Sequence, residues 1–247
     1  MLLQISFFLC IICCSQKILE AKCDDYYCTS DPWKCILKGF ESVEEIDEFC
    51  NRRSVFEYTD INGNINTASG SQFQIIEFQN VTMTRLPSAC FTKFTSISEL
   101  YANNTGIKLI KDDDFQNIRY LQILNLSGNK IDTFENSSFQ YLGNLRKIDL
   151  SYNNIEKVPI EIFEGMPQSV TVINLNHDQI SQFDEQILLR IFKIDQLQKF
   201  HDRETNTKIS ILLSYNKINE FLSTVNKCKL NYNGKRLLEL NLSNNFL

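Results

Sequence analysis

LQILNLSGNKIDTF at 121–134, LRKIDLSYNNIEKV at 145–158 and VTVINLNHDQISQF at 170–183 are three copies of one pattern. Aligned on their asparagine-type position they reduce to LxxLxLxxNxI. LLSYNKINEF at 212–221 and NLSNNFL at 241–247 repeat its second half. The first apolar residues of successive units are Phe73, Ile97, Leu121, Leu145 and Val170, spaced by 24, 24, 24 and 25 residues. A sixth unit starts near Lys208 and a seventh at Leu237, with an insertion between the fifth and sixth. A constant period of this length is the signature of a stacked array in which each unit contacts only its neighbours.

The pattern carries its own geometry. In the unit from Leu121, strand alternation turns Leu121, Leu124 and Leu126 inward and Ile123, Asn125 and Ser127 outward. One unit cannot bury its apolar edge alone, so the units stack and the inward residues fuse into a continuous core. Asn129, Asn153, Asn216 and Asn245 fall in the turn after each strand, where a buried amide can satisfy backbone groups of two adjacent units. Thr105 and Asp178 imitate this in part. Val81 cannot, so the first unit must close its turn differently. Ile131, Phe134, Phe139 and Leu142 line the convex layer.

These residues resemble extracellular leucine-rich repeats of the 24-residue type, whose second half reads xxLPxxxFxxL. Arg85-Leu86-Pro87 to Phe94 and Lys157-Val158-Pro159 to Phe163 carry that half. The opening FQNVTMTRLP of 78–87, together with a small cysteine-rich cap, resembles insect secreted leucine-rich immune proteins and, more distantly, Toll-type ectodomains. The resemblance implies an α/β solenoid: a leucine-rich-repeat horseshoe with a parallel sheet on the concave face, an irregular and short-helical convex side, and the cap at its N-terminal end. It also implies partners, since members of that secreted group form disulfide-linked complexes.

The remaining segments divide the chain into a signal peptide (1–21), a cysteine-rich cap (22–72) and repeats (73–247). MLLQISFFLCIICC at 1–14 is an apolar run too short for a membrane span and suited to a secretory signal, with cleavage expected after Ala21 or, alternatively, Ser15. No later stretch reaches transmembrane length, so the mature chain is expected to be secreted and extracellular. Six of the nine cysteines then remain: Cys23, Cys28, Cys35, Cys50, Cys90 and Cys228. Disulfides are expected over zinc, because no CxxC pair and no neighbouring histidine occurs among them. Trp33, Ile36, Leu37 and Phe40 supply a minimal cap core. Cys90 lies close to the cap and is a candidate to pair there, with connectivity open. Cys228 is five units away from Cys90, about 24 Å at strand spacing, which forbids a bridge between them. It is either a buried thiol or the site of an intermolecular bridge. Residues 184–203 place Ile187, Ile191, Ile194 and Gln198 at helical spacing, as a convex-side helix or a docking surface.

Function is expected to reside in surfaces. A net charge of −5 argues against nucleic acid. Two histidines and the lack of any nucleophile, phosphate-loop or metalloprotease motif leave no catalytic constellation, no metal site and no cofactor. Asp112-Asp113-Asp114 lacks the alternation of a calcium loop and reads as the solvated start of a convex segment. The outward strand residues form columns on the concave face, and Tyr101, Asn103, Lys147, Asp149, Tyr152, Asn174, Asn176, His177 and Tyr215 are the candidates to contact a protein or glycan ligand. Glycosylation sequons stand at Asn80, Asn103, Asn125, Asn136 and Asn241. A secreted recognition module acting by binding, in innate immunity or at cell surfaces, is the leading expectation. The alternative is the N-terminal part of a larger leucine-rich-repeat receptor or adhesion protein. The last unit ends after its turn without a cysteine cap, which would suit oligomerisation through that end.

Overall fold

A computed structural model describes residues 26–28, 34–53, 55–59, 65–135, 137–160, 166–167, 169–184, 187, 209–222 and 238–246. The expected signal segment, Cys23, Asn136, Cys228 and most of the 184–203 insertion lie outside these described residues. Along the chain run β1 (Tyr26–Cys28), β2 (Lys34–Lys38), α1 (Val43–Asn51), β3 (Val55–Thr59), β4 (Ile65–Ser69), β5 (Ile75–Gln79), β6 (Glu99–Tyr101), β7 (Leu109–Ile110) and β8 (Ile123–Asn125). They continue as β9 (Thr133–Phe134), β10 (Lys147–Asp149), β11 (Val172–Asn174), β12 (Gln182–Asp184), β13 (Ile209–Leu212), β14 (Glu220–Leu222) and β15 (Leu238–Asn241).

Eleven strands form one sheet in the order β15-β13-β11-β10-β8-β6-β5-β2-β1-β3-β4. From β2 to β15 the pairing is parallel, one strand per unit. The register aligns Leu100, Leu124, Ile148, Ile173, Ile211 and Leu240 in a single inward row. All but Leu240 are fully buried, and the outward neighbours of each are part-exposed, as period-two alternation requires. Two short parallel pairs, β7–β9 and β12–β14, mark the return side.

The cysteine-rich segment is continuous with this array. Strand β2 pairs in parallel with β5, placing Cys35 beside Ile76 and Leu37 beside Phe78. Ile36, Leu37 and Phe40 are buried. Behind them Phe40, Phe49, Phe56, Phe73 and Phe94 make a chain of ring contacts, with centroids 4.9–6.1 Å apart. Helix α1 is started by Ser42, whose hydroxyl accepts from Glu45 N, and it carries Glu44 and Glu45 in its first turn. Its buried stripe of Val43, Ile46, Phe49 and Cys50 faces the first repeat. Three further links fix it there: a Cys50–Cys90 disulfide, an Asp47 carboxylate accepting from Cys90 N at 3.2 Å, and Arg85 between Glu44 and Asp47.

The turn residues form a spine. Asn129 Oδ1 accepts from the N–H groups of Thr105, Gly106 and Ile107 at 2.8–3.1 Å, while its Nδ2 donates to Ala102 O and Leu126 O at 2.8 Å. Asn153, Asn216 and Asn245 each bridge the carbonyls of their own and the preceding unit in the same way. Thr105 supplies the donor half, from Oγ1 to Ala102 O. Asp178 supplies the acceptor half, taking Asn153 N at 2.8 Å, but its Oδ2 is buried without a partner. At Val81 the turn is closed by the cap: Thr82 N donates to Phe40 O and Gly39 N to Gln79 O. The acidic run departs from the expectation. Asp112 and Asp113 are exposed, but Asp114 is buried, because its carboxylate turns in to accept from Lys111 N at 2.8 Å.

Candidate functional site: an aromatic ladder on the rim of the sheet

Four of the repeat strands, β8, β10, β11 and β15, end in a turn with a recurring construction. The outward Asn or Asp closing the strand accepts from the N–H two residues on: Asn125 from Ser127, Asp149 from Ser151, Asn174 from Asn176, and Asn241 from Ser243. The chain then turns through one residue with positive φ before the spine position. Across the units these residues are Gly39, Asn80, Asn104, Gly128, Tyr152, His177, Tyr215 and Asn244, with φ between 50° and 83°. Most are glycine or asparagine, the types that tolerate this left-handed region.

Tyr152, His177 and Tyr215 are the exceptions, and they are consecutive in space. Backbone bonds from Tyr152 N to Asn176 O and from His177 N to Ser214 O hold the three turns in step. The rings stack: Tyr152 on His177 with centroids 4.3 Å apart and 8° between planes, His177 on Tyr215 at 4.4 Å and 7°. Even with one face covered, Tyr152 is 58% and Tyr215 54% exposed. A left-handed residue with a side chain costs about 1 kcal/mol, so three cost about 3. Two aromatic contacts return about 0.5–1.5 kcal/mol each. The ladder is therefore close to neutral for folding, and glycine or asparagine serves the same backbone at Asn80, Asn104, Gly128 and Asn244. Stability does not explain the aromatic choice.

The other sequence-selected residues are placed differently. Asp149 is engaged within the fold, by Ser151 at Oδ1 and by Asn174 Nδ2 at Oδ2, both at about 3 Å. Asn174 and Asn176 likewise accept from backbone N–H groups, the latter from Ser214 N at 2.7 Å. Tyr101 donates to Glu99 Oε2 at 2.7 Å, and partial burial with that bond pushes its hydroxyl up to about 12. Beside it Glu77 is part-buried, yet hydrogen bonds from Lys34 and Gln79 hold its carboxyl below the usual range. Asn103 is half-buried and Lys147 exposed on the open face. Asn80 and Asn241 are exposed, whereas Asn125 is half-buried with Oδ1 occupied by Ser127 N and Oγ. Sequence reading named the three ladder residues only as separate members of the concave face. Their stacking was signalled by one regularity, that each immediately precedes a spine residue.

Among the described residues no His, Cys, Asp and Glu side chains cluster as a metal site, and no helix is long and apolar enough to cross a membrane. Residues 95–155 match the family model described as "Leucine rich repeat". The chain is 28% identical over 111 residues to Toll-like receptor 8 of Homo sapiens, covering 42% of this chain and 11% of that protein. It is 22% identical over 207 residues to human lumican, covering 79% and 58%, and 35% identical over 89 residues to Tsukushi-A of Xenopus laevis, covering 35% and 25%. The chain thus spans less than two thirds of each of these relatives. Among solved structures, a TLR13–ssRNA13 complex aligns with a TM-score of 0.56 at 18% identity, over 83% of this chain and 27% of that one, a likeness of fold.

Proposed function

We propose that this leucine-rich-repeat protein is an extracellular recognition module that acts by binding, with the Tyr152–His177–Tyr215 ladder as the centre of its contact surface. The observation that supports this is an exposed aromatic stack built on backbone positions where glycine or asparagine would fold at no greater cost. Preordered tyrosines lose little entropy on binding and dominate the energetics of many interfaces. The relatives matched include a Toll-like receptor and the small proteoglycan lumican, and this supports a protein partner, with innate-immune or cell-surface recognition as the setting.

The test is quantitative binding of the purified, secreted chain to a partner isolated on it from extracellular fluid. Tyr152→Ala and Tyr215→Ala should each weaken the interaction at least tenfold, or about 1.4 kcal/mol. Tyr120→Ala, which removes an equally exposed tyrosine outside the ladder, should leave it unchanged. Equal losses at all three positions, or none, would refute the assignment.

A further inference from the structure

The return side of the solenoid is laced by backbone bonds that run from each unit to the one before it. One rung recurs as Lys130 N to Ile107 O, Asn154 N to Ile131 O, Gln179 N to Ile155 O and Lys217 N to Ile180 O, at 2.8–3.1 Å. A second recurs as Lys108 N to Thr84 O, Asp132 N to Lys108 O, Ser181 N to Glu156 O and Asn219 N to Ser181 O. Among the described residues the matching bond from Glu156 N to Asp132 O is not made. A third rung runs from Glu135 N to Ile110 O, but its counterpart one unit on is Pro159, which has no N–H to offer Phe134 O. The pairs β7–β9 and β12–β14 are separate sheets on either side of this unit. A groove of about 780 Å³ opens there, with Asp132, Phe134, Glu156 and Pro159 in its lining. Asp132 O and Phe134 O therefore lack the amides that answer the same carbonyls one unit back.

We propose that this groove receives an arginine side chain of a protein partner; the proposal rests on the reading that the partner is bound at the neighbouring rim. Asn154 and Gln179 join the two surfaces, since they line the groove and stand two residues beyond Tyr152 and His177. The chemistry of the lining selects the side chain. Acceptors predominate: the two carbonyls, and the exposed carboxylates of Asp132 and Glu156, which face the single ammonium of Lys157. The excess of negative charge favours a cation, and a group that only donates suits such a wall. A guanidinium has five N–H donors in a planar fork and no acceptor, and can serve a carbonyl and a carboxylate together. A lysine ammonium is a point donor without that reach. Half-buried Phe134 and Pro159 supply apolar surface for the methylene stem. A carboxylate side chain would meet two groups of its own sign. The groove is larger than one side chain, so the partner's flanking residues enter with it.

The experiment is amide chemical-shift titration of the full, ¹⁵N-labelled chain with Nα-acetyl-arginine amide. Shifts should concentrate at Asp132, Thr133, Phe134, Glu156 and Lys157, with a Kd on the order of 1 mM. The double variant Asp132→Asn with Glu156→Gln should weaken binding about fivefold, the worth of two exposed ion pairs. Both substitutions are isosteric and at exposed positions, and circular dichroism establishes that the fold is kept. Nα-acetyl-citrulline amide, of the same shape but uncharged, should bind at least as weakly to the unmutated chain. Tyr152→Ala should leave the arginine titration unchanged. The proposal is overturned by an absence of shifts at these residues, by equal affinity of the double variant, or by equal affinity of the citrulline probe. Tighter binding of Nα-acetyl-glutamate amide, drawn by Lys157, overturns it as well. The rim reading is tested separately, and fails if partner binding is indifferent to Tyr152 and Tyr215.

Discussion

Replacing Asp178 by asparagine should stabilise this protein, and by an amount that grows with pH. Asp178 occupies a spine position where Asn129, Asn153, Asn216 and Asn245 donate Nδ2–H to two carbonyls. By repeat symmetry those carbonyls are Leu150 O and Leu175 O, and a carboxylate turned toward them has nothing to donate. Burial pushes the Asp178 carboxyl up to about 8, against the hydrogen bonds from Asn153 N and Ile155 N and with a further push from Asp149. Its value in the unfolded chain is 3.8. Between these values the folded protein holds a proton that the unfolded chain has released. Stability is therefore complete below pH 3.8, falls as pH rises, and levels off above about 8. The slope is about 1.4 kcal/mol per pH unit, so from pH 5 to pH 8 the loss is about 4 kcal/mol, or about 10 °C in melting temperature for a chain of this size. Asp114, pushed up to about 6 by burial, slopes in the same direction. The informative quantity is thus the difference between the unmutated protein and Asp178→Asn. Thermal melts at half-unit intervals from pH 5 to 8.5 should show that difference widening steadily, with the variant the more stable at pH 8. Parallel profiles, or a variant less stable at pH 8, would refute the claim that a buried proton completes the spine at this unit.

Other outcomes follow from the same structure. Asn129→Ala leaves three N–H groups, two of them buried and that of Gly106 part-buried, without their acceptor and should cost about 3 kcal/mol in chemical denaturation. Tyr215→Asn should shift the same curve by less than about 1 kcal/mol, because the left-handed turn suits asparagine as well as the stack suits tyrosine. Cys50→Ser with Cys90→Ser opens a cross-link between residues 40 apart and should cost about 4 kcal/mol by loop entropy, with loss of hydrogen-exchange protection concentrated in α1. In peptide maps of the protein expressed through a secretory pathway, glycan should be found at the exposed Asn80 and be absent from Asn125; full occupancy at Asn103 and Asn125 would block the concave face and rule it out as a contact surface.

The period, the inward leucines and the spine asparagines are written in the sequence, because a solenoid is locally specified. Each residue's role follows from its place in a unit and from contact with the next unit. The pattern at Leu121–Phe134 therefore sufficed to place the one strand per unit of the main sheet and to tell Asn129 from Asn125, but not the short return-side strands β7, β9, β12 and β14, where an irregular, short-helical side was expected. What it could not contain is anything set by distance across units. The cap's strand β2 joining the repeat sheet, and Cys90 finding Cys50 rather than another cysteine, depend on packing between segments unrelated in pattern. The burial of Asp114 and the proton demanded by Asp178 depend on the carbonyls and solvent exclusion around them, which residue type alone does not reveal. The ladder shows the division most clearly. Sequence marked Tyr152, His177 and Tyr215 as outward residues, but only the coincidence of their left-handed turns, one repeat rise apart, brings the rings to stacking distance.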